Sequence, residues 1–350
     1  MGVCVLARSR AASTKDVAAL AGVSIGTVSN VVNAPHKVSE ATRRKVTDAI
    51  EELGWKRNEA ARQLRAGRSK TIGMVLLDLA NPYFTGIIKG AEEVLYEAGY
   101  MVTVGNSDQQ LARENLLLAN LGSSRVAGAL LSPISADLQE AVALRREGIP
   151  VVLIDRAEAE GIPGVSGDNV LGGTLAVEHL LAQGYRRIGF AGGADLLFQV
   201  RDRLQGARDA IAASRTDAEL LEFPTKTLDL AAGRSVGMRI LEMPLQARPR
   251  AVFCANDLIA IGLQGVLLAG GLRVPEDLAI IGYDDIDFAP ALAVPLSSVR
   301  QPSPELGRLA AQLLLAEVDP CYSDAPSDLG RQVLVRPTVI ARRSTVLRPS

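Results

Sequence analysis

Residues 13–70 read STKDVAALAGVSIGTVSNVVNAPHKVSEATRRKVTDAIEELGWKRNEAARQLRAGRSK, and their punctuation decides the N-terminal fold. Ser13 or Thr14 caps a first helix whose apolar positions are Val17, Ala18, Leu20 and Ala21. Gly22 ends that helix, because glycine accepts the left-handed backbone a tight turn needs. Val23 plugs the turn, and Ser24 caps a second helix with Val28, Val31 and Val32 turned inward. Ser39 caps a third, striped by Val46, Ala49, Ile50 and Leu53 at spacings of three and four. Three short helices bury a very small core, so this unit is marginally stable alone.

Two helices meeting at a glycine turn make a helix-turn-helix, whose second helix enters the major groove N-terminal end first. The outward residues of that helix are Ile25, Gly26, Thr27, Ser29 and Asn30. The hydroxyls of Ser24, Thr27 and Ser29 suit phosphate oxygens, the Asn30 amide suits adenine, and Ile25 suits a thymine methyl. The alternative is a plain three-helix bundle with Asn30 solvated. Charge favours the DNA reading. Residues 1–70 hold 13 Lys and Arg against 6 Asp and Glu, whereas the other 280 residues hold 25 against 33. A basic head on an acidic body brings only the head to phosphate.

The head resembles that of the LacI family of bacterial transcription repressors. The resemblance rests on Lys15-Asp16-Val17-Ala18, Ala21-Gly22-Val23-Ser24, Thr27-Val28-Ser29, Asn33, Val38-Ser39, Thr42-Arg43, Lys45-Val46, Ala49-Ile50, Leu53-Gly54, Asn58 and Ala61-Arg62-x-Leu64. It implies that Ile25, Gly26 and Asn30 set operator preference, with Asn33 also on the DNA side. It further implies that residues 58–66 form a hinge helix on DNA. In that helix Leu64 wedges into the minor groove beside the partner copy, and Arg62 and Arg65 neutralise phosphates. A segment this short is not a stable helix in water; a charged linker is the alternative. Trp55-Lys56-Arg57-Asn58 departs from the family's usual Tyr-x-Pro-Asn and lacks the proline that would stop a helix.

From Thr71 the pattern becomes strand–helix repeats. Thr71–Leu77, Met101–Gly105, Gly128–Ser132, Val151–Asp155, Arg187–Ala191, Ala251–Ala255 and Leu278–Tyr283 read as strands, with Arg331–Arg336 the last. Leu171–Gln183 and Leu258–Ala269 read as amphipathic helices between them. Alternation of this kind implies parallel sheets covered on both faces. Two sheets joined by several crossings make a bilobed clamshell, resembling the periplasmic-binding-protein fold over about 71–343. The expected fold is therefore an all-α helix-turn-helix head on a two-sheet α/β sensor body.

Ligands of open parallel sheets sit beyond the C-terminal strand ends. Polar and aromatic residues collect there: Asn81, Tyr83 and Phe84, then Ser132, Asp155-Arg156, Asn256 and Asp284. Arg203 falls in a loop opening a helix, and Gln301 falls at a crossover. Carboxylates, amides and arginines around an aromatic pair suit sugar hydroxyls. The family resemblance implies that these positions line an effector pocket, and the Asp155-Arg156 pair looks like the pentose-binding pattern. Leu230 stands where the family often has a ring, which favours a sugar or polyol over a purine-type ligand. Taken singly, Asn81 could merely shape a turn, Asp284 cap a loop and Arg203 make a surface ion pair.

Two other function classes compete. An enzyme would need catalytic groups, yet the chain has only His36 and His179 and no Ser/His/Asp or Cys/His arrangement. The glycine cluster at Gly189–Gly193 does not match a dinucleotide motif. A free sugar-binding transport protein would fit the body but not the basic head. Cys4, Cys254 and Cys321 are odd in number and widely spaced, as expected of a reducing cytoplasm without a metal site or cofactor. No export signal or membrane span is expected. The expected partners are duplex operator DNA, a sugar or polyol effector and a second copy in a homodimer. No heptad repeat suggests a C-terminal tetramerising coil.

The resulting division is a disordered tail at 1–12, a DNA-binding head at 13–57, and a hinge with linker at 58–70. The body follows at 71–343, with a tail at 344–350. Within the body the N-lobe is expected at 71–168 and 302–328, and the C-lobe at 169–299 and 331–343. The expected function is repression of carbohydrate-utilisation genes, relieved when the effector binds.

Overall fold

A computed structural model describes residues 12–55, 69–156, 159–193, 197–322 and 332–346. Of the expected tail at 1–12 all but Ala12, and the hinge residues Asn58, Arg62, Leu64 and Arg65, lie outside the described residues. The chain divides into a head and a body.

In the head, helices α1 (Thr14–Ala21), α2 (Ile25–Asn33) and α3 (Glu40–Glu52) pack around Val17, Ala18, Val28, Val31, Val46 and Ala49. Ser13 is the first cap: its hydroxyl accepts from the Asp16 N–H, while the Asp16 carboxylate accepts from the Ser13 N–H at 2.8 Å. Two orphan donors of the first turn are thereby satisfied. Gly22 stands at φ 65°, as the turn requires, and Val23 packs against the core. Leu20 departs from the expected core stripe and is 46% exposed.

The body contains two six-stranded sheets. The first runs β11 (Gln332–Val335), β5 (Gly164–Gly167), β4 (Val151–Ile154), β3 (Gly128–Leu131), β1 (Thr71–Leu76), β2 (Met101–Asn106), and every pair is parallel. The second runs β12 (Thr338–Ile340), β10 (Ser297–Arg300), β9 (Ala279–Asp284), β8 (Ala251–Cys254), β6 (Arg187–Ala191), β7 (Glu219–Phe223). Among the described residues only its β10–β12 pair is antiparallel. The central strands are apolar on both faces because helices cover both.

Helices α4 (Pro82–Glu97), α5 (Leu111–Ser123), α6 (Gln139–Arg146) and α11 (Ser303–Val318) pack in the N-lobe. Helices α7 (Asn169–Ala182), α8 (Phe198–Ala213), α9 (Leu230–Glu242) and α10 (Asp257–Ala269) pack in the C-lobe. The chain crosses between lobes after β5, after β10 and between β11 and β12. The last crossing corrects the expected boundary. β11 was assigned to the C-lobe, but it pairs with β5 and extends the N-lobe sheet. Strands β5, β7, β10 and β12 were not foreseen. The expected tail from residue 344 is corrected too, since Ser344 and Thr345 are completely buried.

Candidate functional sites

The N-terminal end of α2 presents Ser24, Ile25, Gly26 and Asn30 to solvent, with Thr27 and Ser29 half-buried beside them. Local bonds organise this surface. Ser24 Oγ accepts from the Thr27 N–H at 3.1 Å and lies 2.9 Å from Thr27 Oγ1. Asn33 Nδ2 donates to Ser29 O at 2.8 Å and to Ser29 Oγ at 3.1 Å. Ser24 Oγ is thus engaged both by the Thr27 N–H it caps and by the Thr27 hydroxyl. Ile25 is 48% exposed, an apolar side chain standing out on a polar helix end. That exposure is unfavourable in water.

In the body, Asn81, Tyr83, Phe84, Asp155, Arg203, Asn256 and Asp284 line one small cavity at the C-terminal ends of the strands. Asn81 caps α4 through its carbonyl oxygen, 3.0 Å from the Tyr83 N–H. Its amide meanwhile donates across the lobes to Asp284 Oδ2 at 3.1 Å. Gln301 Nε2 donates to Asp284 Oδ1 at 3.2 Å, and Arg203 NH1 lies 4.0 Å from that same oxygen. Arg203 lies in the second turn of α8, not in the loop expected, because that helix already begins at Phe198. Its guanidinium stacks 3.7 Å from the Tyr283 ring centroid and donates to Asn169 Oδ1 at 2.9 Å and Ala255 O at 2.6 Å. The Tyr83 hydroxyl donates to Asp155 Oδ1, and the Phe84 ring meets Tyr83 edge-on at 5.2 Å.

Two predicted residues stand apart. Arg156 turns away and donates to the carbonyls of Ser135 at 2.8 Å and Ala136 at 3.4 Å. It lines an outer cavity of about 670 Å³ with Phe198, Arg201 and Asp168, which adjoins the inner one at Asp155 and Leu197. Ser132 is fully buried at the end of β3, its hydroxyl without a hydrogen-bond partner among the described residues. Leu230 opens α9, and it is Leu228 that reaches the inner cavity, its carbonyl holding Asn256 Nδ2 at 2.8 Å.

The inner cavity encloses only about 30 Å³, space of the order of one water molecule. Asn81, Asp155, Arg203, Asn256 and Asp284 are hydrogen-bonded or ion-paired within the protein, whereas the Gln199 carbonyl oxygen has no partner among the described residues. The Asn81–Asp284 bond joins the two lobes. Both aspartates sit in left-handed backbone, Asp155 at φ 60° and Asp284 at φ 103°. Among non-glycine residues asparagine and aspartate tolerate this region best, and such backbone collects at functional sites. Among the described residues no cluster of His, Cys, Asp and Glu could hold a metal, and no helix is long and apolar enough to cross a membrane.

Comparison with known proteins decides the family. The head matches the model of bacterial regulatory proteins of the lacI family over residues 13–58. The body matches a periplasmic binding protein-like domain over 177–345. The ribose operon repressor of Escherichia coli K12 is 36% identical over 309 residues, covering 88% of this chain and 93% of its own. The chain belongs to the LacI family. A PurR-named transcriptional repressor of Photobacterium profundum is 33% identical over 337 residues, covering 94% and 98%. The lac repressor dimer bound to operator and the anti-inducer ONPF superposes with a TM-score of 0.79 at 26% identity, covering 97% and 100%. A LacI family regulator from Enterococcus faecium with bound ribose gives 0.70 at 28%, covering 79% and 98%. This LacI-family protein is a DNA-binding transcriptional regulator and not an enzyme.

Two residues of the regulator's cleft were not foreseen. Gln199, in the first turn of α8, is buried against the inner cavity with its carbonyl oxygen unpaired among the described residues. Asn169 links the Arg203 guanidinium to the Gly167 carbonyl. Both sit in ordinary helical context, and only Arg203's longer reach would have hinted at them.

Burial pushes the Asp155 carboxyl up to about 6, although the Tyr83 hydroxyl and Arg203 pull it down. Between roughly pH 4 and 6 the unfolded chain has this group ionised while the folded body keeps it protonated. Stability therefore falls as pH rises through that window. The contribution is at most about 3 kcal/mol. Glu114, raised to about 6 by burial, acts in the same direction. Urea unfolding at several pH values should show this slope in the unaltered protein. It should be shallower in Asp155→Asn, and equal slopes would mean that Asp155 does not carry the effect.

Proposed function

We propose that this regulator is a homodimeric repressor of carbohydrate-utilisation genes that leaves its operator when a sugar or polyol occupies the cleft. The observation that carries the effector class is the buried cluster of Arg203, Asp284, Asn81 and Gln301, which spans both lobes at strand ends. Alternating donors and acceptors of this kind match the rim of a sugar ring, while Tyr83 and Phe84 supply apolar faces. Ribose in the Enterococcus faecium neighbour, and the name of the Escherichia coli relative, support a pentose as the first candidate. The aliphatic Leu228 and Leu230 offer no ring for a planar base to stack on.

The DNA partner is a pseudo-palindromic duplex, read by the α2 helices of two copies. The hinge around Leu64 lies in the minor groove between them, with Arg62 and Arg65 on phosphates. Dimerisation uses the β2 edge of the N-lobe, where Tyr96, Met101 and Leu116 are 78, 74 and 62% exposed. Large apolar side chains on an edge strand and its flanking helices need a cover. The lac repressor neighbour is itself a dimer. The protein works in the cytoplasm. Ligand binding separates the paired hinges, and linkage requires the operator to weaken the sugar by the factor with which the sugar weakens the operator.

The test is selection of operator sequences from a random duplex pool, followed by anisotropy titrations in rising salt. Binding should weaken steeply with salt, and one member of a panel of pentoses, hexoses and polyols should release the DNA. Release by purine bases alone would sink the sugar reading, and salt-independent binding would sink the operator reading. The same assay tests Asn30. Asn30→Ala should cost about 1–3 kcal/mol on the selected operator through a lost base contact and little on random duplex. A uniform loss on both would place Asn30 on phosphate instead.

A further inference from the structure

We propose that Arg342, in the segment following the last strand, is a positioning residue for the effector cleft, holding Asp284 in place through Asp285. This rests on the reading of Asp284 as an effector contact. Asp284 and Asp285 are consecutive non-glycine residues in left-handed backbone, at φ 103° and 55°. Such a pair persists only when surrounding bonds fix it, and here those bonds come from outside the cleft. Arg342 NH1 donates to Asp285 Oδ1 at 2.6 Å and to Leu296 O at 2.7 Å. Arg300 Nε donates to Asp285 Oδ2 at 2.7 Å. The Asp285 N–H donates to Ser298 Oγ at 3.0 Å, and that hydroxyl donates to Asp257 Oδ1 at 2.7 Å.

The two arginines are not equivalent. The Arg300 side chain is 51% exposed, whereas that of Arg342 is 14% exposed against a carboxylate that is 3% exposed. The buried member is the stronger clamp, because solvent screens it less. Arg342 is in turn fixed by its own segment. Ser344 Oγ donates to Ile280 O at 2.6 Å and accepts from the Ser297 N–H at 2.7 Å, and Thr345 Oγ1 lies 2.7 Å from His179 Nε2. The terminal segment thus buckles β9 to β10 beneath the turn that presents Asp284.

The experiment uses the full chain with D-ribose as probe, comparing Arg342→Gln and Arg342→Lys with the unaltered protein by calorimetry. Arg342→Gln should raise the D-ribose dissociation constant by at least about tenfold, as expected for loss of a charge-assisted bond. Arg342→Lys should recover part of that loss, which a purely structural role would not predict if both variants melt alike. An unchanged constant in Arg342→Gln would overturn the proposal. If the unaltered protein ignores D-ribose, the pentose reading fails, and the proposal is then decided without ligand. A thermal double-mutant cycle of Arg342→Gln with Asp284→Asn should be non-additive; additive melting shifts would overturn it.

Discussion

Arg203→Ala is expected to weaken the response to sugar by one to two orders of magnitude, roughly 10 to 100-fold in affinity, while operator affinity without sugar stays within a few-fold. The guanidinium does three things at once. It stacks on Tyr283, ties Asn169 to the Ala255 carbonyl, and stands beside the buried Asp284 carboxylate. Burial already raises the Asp284 carboxyl, and Arg203 is the largest influence pulling it back. Without Arg203 the carboxyl rises further, because the neighbouring charge that favours its ionised form is gone. Removing one partner of a buried pair costs about 3–5 kcal/mol in comparable sites. If half of that falls on the ligand complex, sugar affinity drops by roughly 10 to 100-fold. Arg203→Lys should not rescue, because an ammonium cannot stack flat on Tyr283 while bonding Asn169 and Ala255 together. Calorimetry with the releasing sugar checks this. A normal response in Arg203→Ala would remove the cluster from the effector site.

Much of this arrangement was legible from residue order, and the exceptions share a cause. Strands β1, β3, β4, β6, β8 and β9 are runs of Val, Ile, Leu and Phe, and burial on both faces makes such runs unmistakable. β5 is Gly-Val-Ser-Gly, and β10 is Ser-Ser-Val-Arg. Small and polar residues hold these strands because their neighbours pair with them, not because their own side chains favour it. β7, Glu-Leu-Leu-Glu-Phe, is an edge whose two acids, three residues apart, also suit a helix. Ser344 and Thr345 read as a tail, yet partners at Ile280, Ser297 and His179 bury them. Contacts that distant in sequence leave no local periodicity.

The cleft follows the same logic. Strand ends located Asn81, Asp155, Asn256 and Asp284, because a parallel sheet fixes where its loops gather. Direction was not legible. Arg156 follows Asp155 directly, but the left-handed turn at Asp155 sends its side chain toward Ser135 and Phe198. The inner sugar ring would therefore meet Asp155 without Arg156, and the pentose-like Asp-Arg pair spans two cavities. Gln199 was missed because a glutamine in the first turn of a helix is ordinarily solvated.

Gly173→Ala is expected to destabilise the body and to displace Arg203 with it. Helices α7 and α8 cross with their backbones in contact. A Cβ at Gly173 would lie 2.0 Å from the Arg203 carbonyl oxygen, and one at Gly206 would lie 1.9 Å from the Val170 carbonyl oxygen. Neither neighbour is a side chain that can swing aside, so the helices must separate by an ångström or more. Alanine favours a helix over glycine by about 1 kcal/mol, but overpacking a rigid contact costs about 1–3 kcal/mol and sometimes more. The net expectation is a loss of up to about 2 kcal/mol or somewhat beyond. Sugar affinity falls further than stability alone explains, because the residue pushed is Arg203. Gly265, in α10, is the matched control: nothing lies within 4 Å of its would-be Cβ. Gly265→Ala should therefore keep the helix-propensity gain and raise stability by roughly 0.5–1 kcal/mol. Urea unfolding of the two variants should give opposite signs. If Gly173→Ala proves as stable as Gly265→Ala and binds sugar normally, the backbone contact between α7 and α8 does not position the cleft.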